Sequence, residues 1–214
     1  MMATAPVEET LAYEVEIRFC TSTADEAYAL LPFLRESLGP EKPWSTQIWG
    51  RSVFAAGKLL RVGYVPPSGP QRVYLGYKGV DEGAFANIRQ EWGEEITAGI
   101  GDSAILAQLE IPGQFASAQA VIDRLLAADH GPFMDFTGVD RLGYVPALAI
   151  HTKLMRCPKI IGDQVMVELE LSATSKEEAM AAEQRLQQLA DEYGITDRLI
   201  REEPPTLLYQ VSFP

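Results

Sequence analysis

Two stretches far apart in the chain alternate apolar and polar side chains with a strict period of two. In the first, Tyr13, Val15, Ile17 and Phe19 alternate with Glu14, Glu16 and Arg18; in the second, Val165, Val167, Leu169 and Leu171 alternate with Met166, Glu168 and Glu170. Successive side chains of a strand point to opposite faces, so each stretch reads as a strand with one apolar and one polar side. The wet face of an open sheet would explain such alternation. Here, however, the polar faces hold acids and bases in one register, and helical segments exist to cover the apolar faces. An α+β architecture meets both demands: an antiparallel closed β-barrel with a charged bore and helices packed outside.

The intervening segments supply the other elements. Thr23-Ala-Asp-Glu26 is a capping-box pattern that opens a helix with Ala27, Leu30, Leu31 and Leu34 on its buried stripe, and Gly39-Pro40 is expected to end it. Leu59 to Val65 and Arg72 to Gly79 predict strands joined through the turn Pro66-Pro-Ser-Gly-Pro70. Residues 87–97 predict a strand with Arg89, Glu91 and Glu95 on one face, and Ala147 to Arg156 predicts another. Further helices are expected over Ser117 to Ala128 and over Lys176 to Tyr193, the latter opened by Ser175 and Glu178 and stopped by Gly194. Leu207 to Phe213 reads as a closing strand. The expectation is a single domain over 1–214, with 1–10 as a flexible leader.

Composition narrows the function. The chain carries 18 Lys+Arg against 30 Asp+Glu, a net charge of −12, which argues against nucleic-acid or membrane-surface binding while permitting a local cationic pocket. No apolar run approaches the roughly 18 residues needed to span a bilayer, and the first residues do not read as a secretion signal. Two cysteines make no disulfide framework, so a cytoplasmic location is expected.

The polar faces suggest the chemistry. Carboxylates at i and i+2 of a strand project to the same side about 7 Å apart. If Glu14/Glu16 and Glu168/Glu170 faced each other, they would form a hard, oxygen-rich site suited to Mg²⁺ or Mn²⁺. Arg18, Arg61, Lys78, Arg89 and Lys153, with His151 beside the last, would gather inside the same barrel. Clustered cations need anionic partners, and a polyphosphate held by forked arginine contacts would provide them. With two histidines in the chain a histidine-rich zinc site is not expected, and Gly99-Ile-Gly101-Asp102 is too short for a nucleotide fingerprint.

Taken in order, these segments resemble the CYTH superfamily, the triphosphate tunnel fold of class IV adenylyl cyclases and thiamine or inorganic triphosphatases. Glu14-Val-Glu-Ile-Arg18 is similar to the family's opening E-x-E-x-K strand, with Arg for Lys. Leu60-Arg61-Val-Gly63 resembles L-R-x-R without its second arginine. Gly76-Tyr77-Lys78-Gly79, Arg89-Gln-Glu91, His151-Thr-Lys153 and Val167-Glu168-Leu-Glu170 resemble the later motifs. Two departures are a shortened hairpin over Cys157 to Asp163 and a segment from Thr46 to Gly57 without the family's D-x-Y-F-D-like stretch.

The resemblance implies a metal-dependent enzyme acting on ATP, thiamine triphosphate or tripolyphosphate, as an adenylyl cyclase or a triphosphatase. Arg18, Arg61, Lys78, Arg89 and Lys153 would hold the triphosphate, and Glu14, Glu16, Glu168 and Glu170 the Mg²⁺ or Mn²⁺. Oligomeric state, including a homodimer, stays open. Gly63 and the short hairpin favour an alternative, a weakened tunnel protein that binds polyphosphate or nucleotide without turnover. A structural barrel with a solvated bore is a third reading.

Overall fold

The alternating segments pair with one another. A computed structural model describes residues 12–66 and 71–212, so the leader, Leu11 and most of the proline-rich turn lie outside the described residues. The strands are β1 (Ala12–Thr21), β2 (Leu38–Trp49), β3 (Leu59–Val65), β4 (Arg72–Lys78), β5 (Asn87–Glu95), β6 (Pro132–Val145), β7 (Ile150–Arg156), β8 (Val165–Ala173) and the two-residue β9 (Leu199–Ile200). They run in the order β5-β4-β3-β2-β6-β7-β8-β1-β9, and β5 also pairs with β1, so the sheet closes into a ring. Every strand pairing is antiparallel.

Helices cover the outside. They are α1 (Ala24–Leu30), α2 (Leu34–Ser37), α3 (Arg51–Ala55), α4 (Ala104–Gln108), α5 (Ala118–Ala127), α6 (Pro158–Ile161), α7 (Lys176–Glu192) and α8 (Pro204–Ser212). The outward apolar faces of β1 and β8, with Val15, Ile17, Phe19, Val167 and Leu169, form one core with Leu31 and Leu34 on one side and Ala179, Leu186 and Leu189 of α7 on the other. A second core puts Leu60, Val62, Leu75 and Tyr77 beneath Ile105 and Leu106 of α4 and Val121 and Leu125 of α5. A third lies inside the ring. Ile48, Met134, Phe136, Met155 and Met166 close one end of the bore, with Leu208 of α8 packed among them.

The capping residues act as expected. The Glu26 amide donates to Thr23 Oγ1 and the Glu178 amide to Ser175 Oγ, each at 3.2 Å. Each glutamate in turn accepts from the backbone one residue before the cap, Ser22 or Thr174.

Two sequence expectations need correction, and one strand was not foreseen. The first helix ends at Leu30, before Pro32, and Gly39-Pro40 lies within β2. The β2–β6 register shifts between Leu38 and Glu41, an irregularity that accommodates a proline lacking an amide. Leu207 to Ser212, read as strand, belongs to helix α8; Pro204-Pro205 opens it, where helices tolerate proline, and Phe213 lies outside the described residues. Strand β6 had no periodic signal, because its inner face mixes Met134, Phe136, Gly138 and Asp140. Gly138 resembles a turn residue in sequence but is required here: a Cβ would sit 2.5 Å from the Trp44 ring. Among the described residues no helix is long and apolar enough to cross a membrane.

Candidate functional site

The polar faces of the strands meet inside the ring, around a cavity of about 440 Å³. Strand register sets the tiers: Arg18 lies opposite Glu168, Glu168 opposite Lys153, and Glu16 opposite Glu170. On the other side Glu14 faces Arg89, and Lys78 faces Glu91.

Arg18 is fully enclosed. Its guanidinium pairs with Glu16, lies 3.4 Å from Glu168 Oε1 and 3.3 Å from Glu203 Oε2, and donates to Asn87 Oδ1 at 3.2 Å and the Glu202 carbonyl at 3.0 Å. Lys78, also buried, pairs with Glu14 and sits 3.5 Å from Glu16 and 3.8 Å from Glu203. Lys153 Nζ is 2.8 Å from Glu168 and 3.9 Å from Asp140. Arg61 pairs with Glu91 and lies flat across Gly76, where a Cβ would be 2.6 Å from its Nε. Arg89 meets Glu203 at 3.2 Å and donates to the carbonyls of Gly57 and Gly79. Buried charges persist only when paired, and this network pairs each of them, although Glu14 Oε2, Arg18 Nε, Arg89 Nε and Glu203 Oε1 make no hydrogen bond within it.

The acids divide into two groups. Burial opposes ionisation of Glu168, but Lys153 and Arg18 prevail and lower it to about 2. Burial likewise opposes ionisation of Glu203, and Arg18, Lys78 and Arg89 hold it well below the usual carboxylate range. Burial pushes Glu14 up to about 7 and Glu16 up to about 8, against the pull of Lys78 and Arg18 and with neighbouring carboxylates adding to the rise.

No protein-family profile matches this sequence, and no curated protein matches it. Solved structures do match. The PH1819 protein of Pyrococcus horikoshii superposes with a TM-score of 0.66 at 18% identity, over 92% of this chain and 99% of that one. A proposed adenylate cyclase of Vibrio parahaemolyticus gives 0.63 at 14% identity, over 92% and 97%. HpAC1 from Hippeastrum, described as a proposed adenylyl cyclase with a dominant triphosphatase activity, gives 0.51 at 15% identity, over 86% and 89%. The chain shares the fold of these structures.

Within this bore, the side chains nominated from sequence come together. Glu14, Glu16, Glu168, Glu170, Arg61, Lys78 and Lys153 line the one cavity. Arg18 and Arg89 join through Glu16, Glu168 and Glu203. Glu170 lines the cavity with no ion pair among the described residues, and burial with nearby Glu14 raises its pKa. His151 is exposed and stacks against Tyr144 with ring centroids 4.9 Å apart. The short β7–β8 connection is the α6 turn, whose Ile160 and Ile161 pack beside the apolar end of the bore.

Sequence reasoning missed Glu203 and Asp140. Asp140 sits on the strand that had no period. Glu203 precedes Pro204-Pro205, a helix-start signal hidden by the strand assignment, and only the fold carries it to β1.

Among the described residues no three His, Cys, Asp or Glu side chains converge as a preformed metal cage. The donor chemistry nevertheless fits a hard divalent cation. Glu14, Glu16 and Glu170 present carboxylate oxygens to the cavity, and carboxylates that retain protons toward neutral pH can exchange them for a metal ion.

Proposed function

We propose that this protein is a metal-dependent enzyme that hydrolyses a triphosphate compound inside the CYTH bore. The observation that carries the reading is the convergence of Arg18, Lys78 and Lys153 with Glu14, Glu16 and Glu168 in one enclosed channel. Arg61, Lys78 and Lys153 would contact successive phosphates from different strands, while Arg18 and Arg89 supply fixed positive potential from the bore's lower tier. Glu168 orients Lys153 and Arg18 rather than competing for the ligand. Glu14, Glu16 and Glu170 would hold Mg²⁺ or Mn²⁺, which when bound supplies charge neutralisation at phosphorus. The chain's own work is to bind, align and exclude water from the phosphates in a low-dielectric channel, where fixed charges act strongly. Hydrolysis is favoured over cyclisation because HpAC1, a structural neighbour, is described with a dominant triphosphatase activity.

The test is incubation of the purified protein with ATP, thiamine triphosphate and tripolyphosphate in the presence of Mg²⁺ or Mn²⁺. Metal-dependent release of phosphate is the expected result. Cyclic AMP with pyrophosphate would assign a cyclase, and neither product would refute an enzymatic role. A second reading, binding without turnover, is supported by Gly63, where the resembling motif has a second arginine. Calorimetric binding with no product in any arm would establish it.

A further inference from the structure

Lys78, assigned above to the triphosphate, and the Arg18 and Arg89 that supply positive potential beneath it already face an anion of the chain itself. Glu203 is 4% exposed. Its two carboxylate oxygens reach Arg18 at 3.3 Å, Arg89 at 3.2 Å and Lys78 at 3.8 Å, from β1, β5 and β4 respectively. It belongs to no barrel strand. It enters on the segment 201–203, which links β9 to α8 across the edge of the ring, so its carboxylate is tethered rather than built into the wall.

The tether is anchored on both sides. Arg18 Nη1 and Asn87 Nδ2 both donate to the Arg201 carbonyl, and Arg18 Nη1 also reaches that of Glu202. The Arg201 guanidinium binds Asp81 Oδ2 at 2.8 Å and the Gly83 carbonyl at 3.1 Å. Behind it, Leu208 of α8 seals the apolar end of the bore. Structure alone would be served by an apolar plug. A carboxylate carried into the cation cluster has a further consequence, because any anion bound at that tier meets charge already neutralised.

We propose that Glu203 is a specificity-determining residue: an internal anion that a ligand must displace from Arg18, Arg89 and Lys78, so that long polyphosphates bind and single phosphates do not. This rests on the triphosphate reading and deepens it. A lone phosphate replacing Glu203 exchanges one set of ion pairs for a similar set and gains little. A chain of linked phosphates also meets Lys153 and Arg61, which Glu203 does not touch, and those added contacts exceed the cost of displacing the tethered carboxylate.

The experiment is calorimetric titration of wild type, Glu203→Gln and Arg201→Gln with tripolyphosphate and, separately, with orthophosphate. Glu203→Gln should bind tripolyphosphate about tenfold tighter or better, and orthophosphate should gain by a similar factor, which brings its binding from undetectable in wild type into the measurable range. Arg201→Gln keeps every charge in the bore and loosens only the tether, so it should shift both affinities in the same direction by less. Glu203→Gln uncovers buried cations and is at risk of misfolding, so a wild-type measurement stands beside it: saturating tripolyphosphate should accelerate amide exchange across residues 201–212. Tripolyphosphate binding to wild type that Glu203→Gln leaves equal or weakens, or exchange that is unchanged or slowed, overturns the inference and leaves the triphosphate reading intact. Binding to none of the three proteins refutes both.

Discussion

Replacing Arg18 with methionine should be among the most damaging single changes in this protein. The side chain has no solvent exposure, and its guanidinium touches Glu16, Glu168 and Glu203 together. Methionine keeps much of the volume, so the loss is electrostatic rather than a cavity. Removing one partner from a buried ionic network costs about 3–5 kcal/mol, because carboxylates remain buried with their compensation withdrawn. At about 2–4 °C per kcal/mol for a chain of this size, the melting temperature should drop by about 6–20 °C. Arg61→Met is the matched control. Arg61 also pairs with a glutamate of the bore, but its side chain is 43% exposed, and such a pair contributes about 1 kcal/mol or less. Thermal unfolding of the two variants in the same buffer separates the cases. If Arg18→Met melts no lower than Arg61→Met, the claim that the bore is held by compensated buried charge is wrong.

In the presence of chelator, stability should fall as pH rises from about 5 to about 8. Glu14 and Glu16 are raised in the folded protein to about 7 and about 8, so across that window the native state holds protons that the unfolded chain has released; the loss, on the order of a few kcal/mol, is measurable by urea titration at each pH. Glu168 has the opposite sign, and its stabilisation is lost only as pH falls below the ordinary carboxylate range toward about 2. Glu170→Gln should leave the unfolding free energy within about 1 kcal/mol of wild type but raise the Mg²⁺ or Mn²⁺ concentration needed for half-maximal phosphate release, and an unchanged metal requirement would remove Glu170 from the proposed metal set. Leu208→Ala should cost about 2–4 kcal/mol by opening a void in the apolar end of the bore, read as a lower urea midpoint.

What was legible in the sequence was the charge-bearing half of the barrel. β1 and β8 each have one face against helices and one against the bore, so their contrast of apolar and ionic residues is strong and their boundaries nearly correct. β2 and β6 have no such contrast. Ile48, Met134 and Phe136 point inward as apolar residues, while Pro40 to Pro43 of β2 is exposed on both faces, so period and polarity disagree. Asp140 was hidden with them. Glu203 was hidden for another reason: nothing local distinguishes a glutamate before two prolines from a loop residue, and its role arises only when the end of the chain folds back under β1.

β1 is joined to β5, β8 and β9, and it supplies three of the bore's ionisable side chains, Glu14, Glu16 and Arg18. Its pairing with β5 is the seam that turns a curved sheet into a cylinder. A chain with that seam parted would keep much of its helical shell yet present Lys78 and Arg89 to solvent without their counter-ions. On the proposed triphosphate reading the binding groups are assembled only when that seam is closed, so polyphosphate should act on this protein as a folding ligand, selecting the sealed form over any unzipped one.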